Sequence, residues 1–363
     1  MNRDKNKVLV PILLLGELAA LVGDRVLAAF LLAPSNVVVK ECEVPKLSRG
    51  EVLISVRACG VCPTDLRYVQ GLRLYLPLGD GSYGLTGHEW AGEVVEVGED
   101  VEVLSAGDKV VADHILPCGR CFFCKRGRSN LCLNKKYYLR GYAQYAKAWA
   151  LTALKMPPHV SYEEACLTEP LSTCLNTMEK LEIGLGDRVA IIGDGVIGLL
   201  HLQLTRLMGA ETIMIGHHDE RLRLAEKLGA NMVVNSRRED LMSMVKKETG
   251  GLGVGKVIVA ASGKQAIEDA LRIVAPAGKI GIFAGTYPPT SINLDPNRIH
   301  YGEITLIGIM EHTLHHFEQA LELISRDLVS VKQLITHKFP LERINEAFET
   351  VKRREGLKVI VSP

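Results

Sequence analysis

Four cysteines, Cys118, Cys121, Cys124 and Cys132, fall within one short stretch, CGRCFFCKRGRSNLC, at the spacing C-x2-C-x2-C-x7-C. That spacing brings four soft thiolates together without help from any distant part of the chain. Such a set suits tetrahedral Zn²⁺ in a closed, structural site. Two disulfides and an iron–sulfur cluster are the competing readings. A second, scattered set is of mixed type: Cys62 in GVCPTD, His88 in LTGHEW and Glu169 at the start of EPLSTC. One thiolate, one imidazole and one carboxylate leave a fourth position open, as catalytic zinc requires. Each of these is a weak signal alone, and Cys59 with Cys62 also reads as a C-x-x-C pair.

The third group is glycine. Gly193-Asp194-Gly195-Val196-Ile197-Gly198 follows an apolar strand and opens a helix, the context in which G-x-G-x-x-G binds a dinucleotide. Gly193 makes the tight turn, Gly195 lets backbone approach a pyrophosphate, and Gly198 lets helix and strand pack closely. The helix N-terminus offers free N–H groups to the phosphates. At the end of the next strand, Gly216-His217-His218 stands where NAD-binding chains place an acid for the ribose hydroxyls. Losing that carboxylate removes repulsion against a 2′-phosphate, and two histidines are available as donors, so the reading leans to NADP over NAD. The alternative is that Asp219 is the ribose acid, or simply the N-cap of the following helix.

These groups need a scaffold. A chain of 363 residues accommodates about two domains. Its +1 formal charge gives no footprint for nucleic acid or an anionic membrane. Residues 26–170 read as short strands (VLAAFLLA, EVLISVRA, AGEVVEVG) broken by Gly, Pro and Asp. From about 185, strand and helix alternate: DRVAIIG, VIGLLHLQLTRLMG, ETIMIG, DERLRLAEKLG, NMVVN, a helix near 238–248, KVIVAA, a helix at 264–274 and KIGIF. Alternation of this kind implies an α/β fold with a doubly wound parallel sheet. Residues 8–23 form an apolar run broken by Pro11 and Glu17. With no convincing cleavage site after it, residues 1–25 are expected to be an extension outside the core fold, and the protein to be cytoplasmic.

In combination and order, CGVCPTD, GHEWAGEVVEVG, the four-cysteine lobe, EPLS and GDGVIG resemble the zinc-dependent medium-chain alcohol dehydrogenases, over residues 26–363. The resemblance implies a GroES-like, mainly-β catalytic domain over 26–172 and 301–363, carrying the structural-zinc lobe at 118–132. A Rossmann-type NAD(P)-binding domain would occupy 173–300. It implies Cys62, His88 and Glu169 as ligands of a catalytic zinc, Glu169 being typical of the sorbitol, glucose and threonine dehydrogenase branch. Cys174, five residues on, is the rival third ligand. By the same resemblance Glu89 is an acid able to enter the metal's coordination sphere, Asp65 orients His88, and Thr64 takes the substrate hydroxyl proton. Arg67 stands where many members carry a relay histidine; because arginine does not deprotonate, it suits a substrate group, a cofactor phosphate or a solvated surface.

The implied reaction is hydride transfer between the carbinol carbon of an alcohol, polyol or sugar and NAD(P), in a cleft between the domains of a dimer or tetramer. Two other classes stay open: a zinc-free reductase of the same fold and a non-catalytic nucleotide-binding protein. The stretch Glu311-His312-Thr313-Leu314-His315-His316 sits at an expected helix start and reads as a solvated face. Cys42, Cys59 and Cys166 read as packing cysteines.

Overall fold

The computed structural model describes residues 25–73 and 75–363, so the expected N-terminal extension lies outside the described residues except for Arg25. The chain opens with the hairpin β1 (Arg25–Ala33) and β2 (Asn36–Glu43). It continues through β3 (Glu51–Gly60), β4 (Glu89–Val97), β5 (Lys109–Ala112), β6 (Ile115–Leu116), β7 (Lys136–Tyr137), β8 (Tyr145–Trp149) and β9 (Ala153–Lys155). Six parallel strands follow: β10 (Arg188–Ile192), β11 (Glu211–Gly216), β12 (Met232–Asn235), β13 (Val254–Val259), β14 (Val274–Ile282) and β15 (Thr305–Gly308). Two more, β16 (Ile335–Pro340) and β17 (Lys358–Ser362), close the chain.

The parallel sheet has the order β12-β11-β10-β13-β14-β15, with every neighbouring pair parallel. The order reverses between β10 and β13, and ligands of doubly wound sheets bind at that switch point. Strand β10 is apolar on both faces because helices cover both. Val189 and Ile191 pack with Leu199 and Leu202 on one side, while Ala190 and Ile192 join Ile267 and Leu271 on the other. The alternation in the sequence therefore becomes two apolar layers, and the glycine turn sits at the carboxyl end of the central strand.

The mainly-β sheet runs β16-β17-β3-β4-β5-β9, with β8 also paired to β3. Strand β17 lies antiparallel to β3, with Ile360 opposite Gly60 and Val361 opposite Cys59. The end of the chain thus reaches the strand that leads to Cys62. The return to this domain falls later than the expected residue 301: β15 first completes the parallel sheet through Gly308. At the other boundary, the helix Thr168–Leu181 runs straight across residues 172–173 and carries Glu169 in its first turn. Among the described residues no helix is long and apolar enough to cross a membrane.

Candidate metal centres and nucleotide site

Cys62 ends the turn after β3 and caps the helix Pro63–Val69, where Pro63 presets the first helical φ. Asp65, one turn in, accepts the Cys62 backbone N–H at 2.9 Å. It also accepts the Thr86 hydroxyl at 2.6 Å and the Tyr142 hydroxyl at 2.7 Å. Burial works against the Asp65 charge, yet His88 and these hydroxyls hold its pKa below the usual carboxylate range. His88 Nδ1 donates to the Thr86 carbonyl at 2.8 Å, with Asp65 Oδ1 at 3.4 Å, which fixes the ring and leaves Nε2 as the free ligand atom. Burial opposes charge on His88 too, but Asp65 and Cys62 raise its pKa well above normal. The surroundings therefore draw in positive charge, as a cation site should.

Ligand atoms of Cys62, His88 and Glu89 lie within 4.8 Å of one another. Gly60 makes room for this: a Cβ there would stand 2.2 Å from Glu89 Oε2. Lys358, 4% exposed, pairs with the same oxygen at 2.5 Å. Nothing local marks Lys358, because its partner is 269 residues away and meets it through the β17–β3 pairing. Glu169, expected as the third ligand, is not part of the converging group. It is buried on the facing helix, with its Oε1 4.0 Å from His114 Nδ1, and burial raises its pKa to about 7 against the pull of His88. Cys174 is fully buried in the apolar core and does not join the group either. Thr64 is half-buried in the first turn of the same helix as Asp65. The Arg67 guanidinium lies over the Tyr287 ring, 5.2 Å from its centroid, bridging the two domains.

The expectation of a solvated histidine face at 311–316 is corrected. The helix does start there, with Thr313 capping Leu314–Ser325, but His312 and His316 are buried. His312 meets Asp113 in the interior, and His316 meets Glu179, whose carboxylate is exposed. Only His315 of the three is exposed. His114 and Asp113 belong to the same neighbourhood and drew no attention in the sequence, since nothing local marks ADHIL as part of a site.

In the lobe, the four sulfurs of Cys118, Cys121, Cys124 and Cys132 lie within 4.8 Å of one another. The backbone N–H groups of Cys118 and Asn134 point at Cys132 Sγ, at 3.2 and 3.4 Å. Backbone N–H groups of Cys124 and Leu133 pull the Cys121 thiol down to about 6. Four converging sulfurs with N–H donors behind them fit a tetrahedral thiolate-bound ion. Cys59 and Cys166 are buried in packing roles, and Cys42 is half-buried with its Sγ on the Val26 carbonyl.

At the nucleotide site Gly193 has φ +128°, a region that favours glycine. A Cβ on Gly198 would fall 1.8 Å from the Gly193 carbonyl oxygen. Gly195 caps the helix Val196–Leu207 with no side chain on the cap, and the space beside it is open. The first N–H groups of Val196 and Ile197 are therefore left uncovered by any cap side chain, as a phosphate site at a helix N-terminus requires. Gly216 has a reason the sequence did not disclose. Its missing side chain admits Asp194, whose Oδ2 would stand 2.5 Å from a Cβ there. That oxygen accepts the N–H groups of His217 and His218 at 2.8 Å each, and His218 Nδ1 at 3.0 Å. Asp219 is engaged elsewhere, by Asn235 at 2.7 Å and by Arg238.

Residues 48–158 match the family described as the alcohol dehydrogenase GroES-like domain, and residues 196–326 the zinc-binding dehydrogenase family. The chain is 33% identical over 331 residues to the D-arabitol-phosphate dehydrogenase of Enterococcus avium, covering 88% of this chain and 92% of the relative. It is 31% identical to the sorbitol dehydrogenase of Bacillus subtilis, covering 94% and 98%. Among solved structures it superposes on a protein of Sinorhizobium meliloti 1021, bound to NADP and described as a zinc-binding dehydrogenase. The TM-score is 0.88 at 27% identity, covering 94% of this chain and 100% of the other.

Proposed function

This chain belongs to the zinc-dependent medium-chain alcohol dehydrogenase family, and from that premise we propose that it oxidises a secondary hydroxyl of a polyol, sugar or related alcohol with NADP at the Cys62–His88 centre. The convergence of Cys62, His88 and Glu89 within 4.8 Å carries the reading. Zinc held there would supply a Lewis acid for the substrate oxygen, and NADP would supply the hydride acceptor. The rest falls to the chain. Asp65 and the Thr86 carbonyl hold the His88 ring, Lys358 holds Glu89, and Thr64 takes the hydroxyl proton. Glu89 supports the role of carboxylate ligand better than Glu169, which faces the centre from the helix Thr168–Leu181. The glycine loop and the N-terminus of Val196–Leu207 hold the pyrophosphate. The intact ligand set and loop argue against a zinc-free reductase and against a purely nucleotide-binding protein. By family resemblance the enzyme works as a cytoplasmic dimer or tetramer.

NADP is favoured over NAD because Gly216 carries no carboxylate and the acid of Asp194 is turned inward onto backbone N–H groups. His217 has Ser236 Oγ at 3.4 Å. Burial first, and then the charges of Arg237 and Arg354, lower the His217 pKa against Asp194. A 2′-phosphate would meet positive charge there. Initial rates with a panel of polyols, aldoses and secondary alcohols test both parts. We expect turnover with kcat/KM about tenfold higher for NADP than for NAD, and a smaller ratio in Arg237→Ala. A preference for NAD would overturn the cofactor assignment; no turnover with any alcohol would overturn the function.

A further inference from the structure

The helix Ile344–Lys352 ends in a tight turn just before β17. The Arg354 N–H donates to the Val351 carbonyl at 3.1 Å, and the Glu355 N–H to the Thr350 carbonyl at 3.2 Å. A turn closed by this pair of bonds puts one residue in the left-handed region, and glycine is its usual occupant. Here that residue is Arg354, at φ +58°. A Cβ is disfavoured in that conformation, so the fold alone argues for glycine and not for arginine. Non-glycine residues held in this way cluster at functional sites.

Nor does the Arg354 side chain serve the fold by pairing. It is exposed, and its guanidinium has no hydrogen-bond or ion-pair partner among the described residues. The adjacent acid, Glu355, lies 3.7 Å from Arg353 instead. The turn itself is fixed against the other domain. Arg221, on the helix Asp219–Lys227 of the parallel-sheet domain, donates Nη2 to the carbonyls of Arg354 and Gly356 at 2.7 and 2.9 Å. Its Nη1 stands 4.0 Å from Asp194 Oδ1. One guanidinium thus separates the Arg354 backbone from the carboxylate that holds the His217 and His218 N–H groups.

The surface beside this joint is open and positive. His217 is half-buried, while Ser236, Arg237 and Arg354 are exposed. Two acids close by are already engaged, Asp194 by backbone N–H groups and Asp219 by Asn235 and Arg238. Burial lowers the His217 pKa against the pull of Asp194, and Arg237, His218 and Arg354 add to the fall. The Arg354 charge is therefore felt at a ring of the other domain.

We propose that Arg354 reaches across the domain joint to the 2′-phosphate of NADP, together with Arg237, so that both domains read which cofactor is bound. This rests on the proposed preference for NADP. A guanidinium suits a phosphate dianion through two parallel N–H bonds, and an exposed, unpaired one gives up no existing contact to make them. NAD presents a neutral ribose hydroxyl at the same place, which gains little from a cation. Arg221 acts as a positioning residue, holding the turn that carries Arg354 beside the nucleotide site.

Fluorescence titration of the full-length protein with NADPH and with NADH tests this without turnover. The wild-type protein should bind NADPH more tightly. Arg354→Gly should weaken NADPH binding about tenfold and change NADH binding by less than about twofold, while Arg354→Lys recovers part of the loss. Because glycine suits the turn, unliganded Arg354→Gly should melt no lower than the wild-type protein. A wild-type preference for NADPH with no selective loss in Arg354→Gly refutes this inference alone. So does a lower melting temperature for that variant, which would make the arginine a structural part of the turn. A wild-type preference for NADH refutes the cofactor assignment together with it.

Discussion

Cys62→Ala is expected to lower kcat/KM for alcohol oxidation by about 10³-fold or more, while NADPH binding changes by less than about threefold. The asymmetry follows from where the groups sit. Cys62 is a thiolate ligand candidate on the mainly-β domain, and the glycine loop lies at the end of β10 in the other. Without the thiolate the centre keeps an imidazole and a carboxylate, too few to hold zinc against water, and the Lewis acid is lost. The fold does not depend on the side chain: the turn is set by Pro63 and by Asp65 accepting the Cys62 backbone N–H, both of which survive in alanine. Kinetics and NADPH fluorescence titration on the same preparation read both halves. Turnover retained within tenfold would remove Cys62 from catalysis.

Cys118→Ser is expected to act differently, costing stability first and activity through it. An isolated structural zinc site holds roughly 10–16 kcal/mol of binding energy. Here most of the chain has cores of its own, so a loss of about 3 kcal/mol is a reasonable share. For domains of this size that is a fall in melting temperature of about 6–12 °C. Activity should drop by about tenfold as well, because the lobe is bolted to the catalytic wall. Strand β6 pairs with β7 across the lobe, Asn130 holds the Met310 carbonyl, and Lys135 pairs with Glu311. When the lobe loosens, those contacts loosen with it, and His312 loses its placement beside Asp113. Thermal melting and kinetics together check this; an unaltered melting temperature would mean the cage is not structural.

The parallel sheet was legible because its strands are short apolar runs between amphipathic helices, a pattern written within a few residues. ETIMIG, read as a strand, is β11 from Glu211 to Gly216. The glycine loop and the four-cysteine lobe were legible for the same reason, since each motif is local. What stayed hidden depends on partners far away in the chain. His312 reads as a surface histidine until β5 brings Asp113 to it across 199 residues. Lys358 looks like any lysine near a C-terminus until β17 lies against β3. Gly216 reads as a missing acid until Asp194, from the neighbouring loop, fills the space it leaves. Glu169 and Glu89 could not be ranked as ligands from spacing, because one starts a helix and the other a strand in different parts of the fold. Motifs announce which chemistry is present; side-chain pairing across the two sheets decides which residue performs it.

We propose two distinct metal centres in this chain, one chemical and one structural, and zinc content measured by plasma emission spectroscopy tests this most directly. Protein purified without chelators should carry about two zinc ions per chain, and Cys62→Ala and Cys118→Ser should each carry about one. About one ion or none in the wild-type protein, or two retained in Cys62→Ala, would contradict the account.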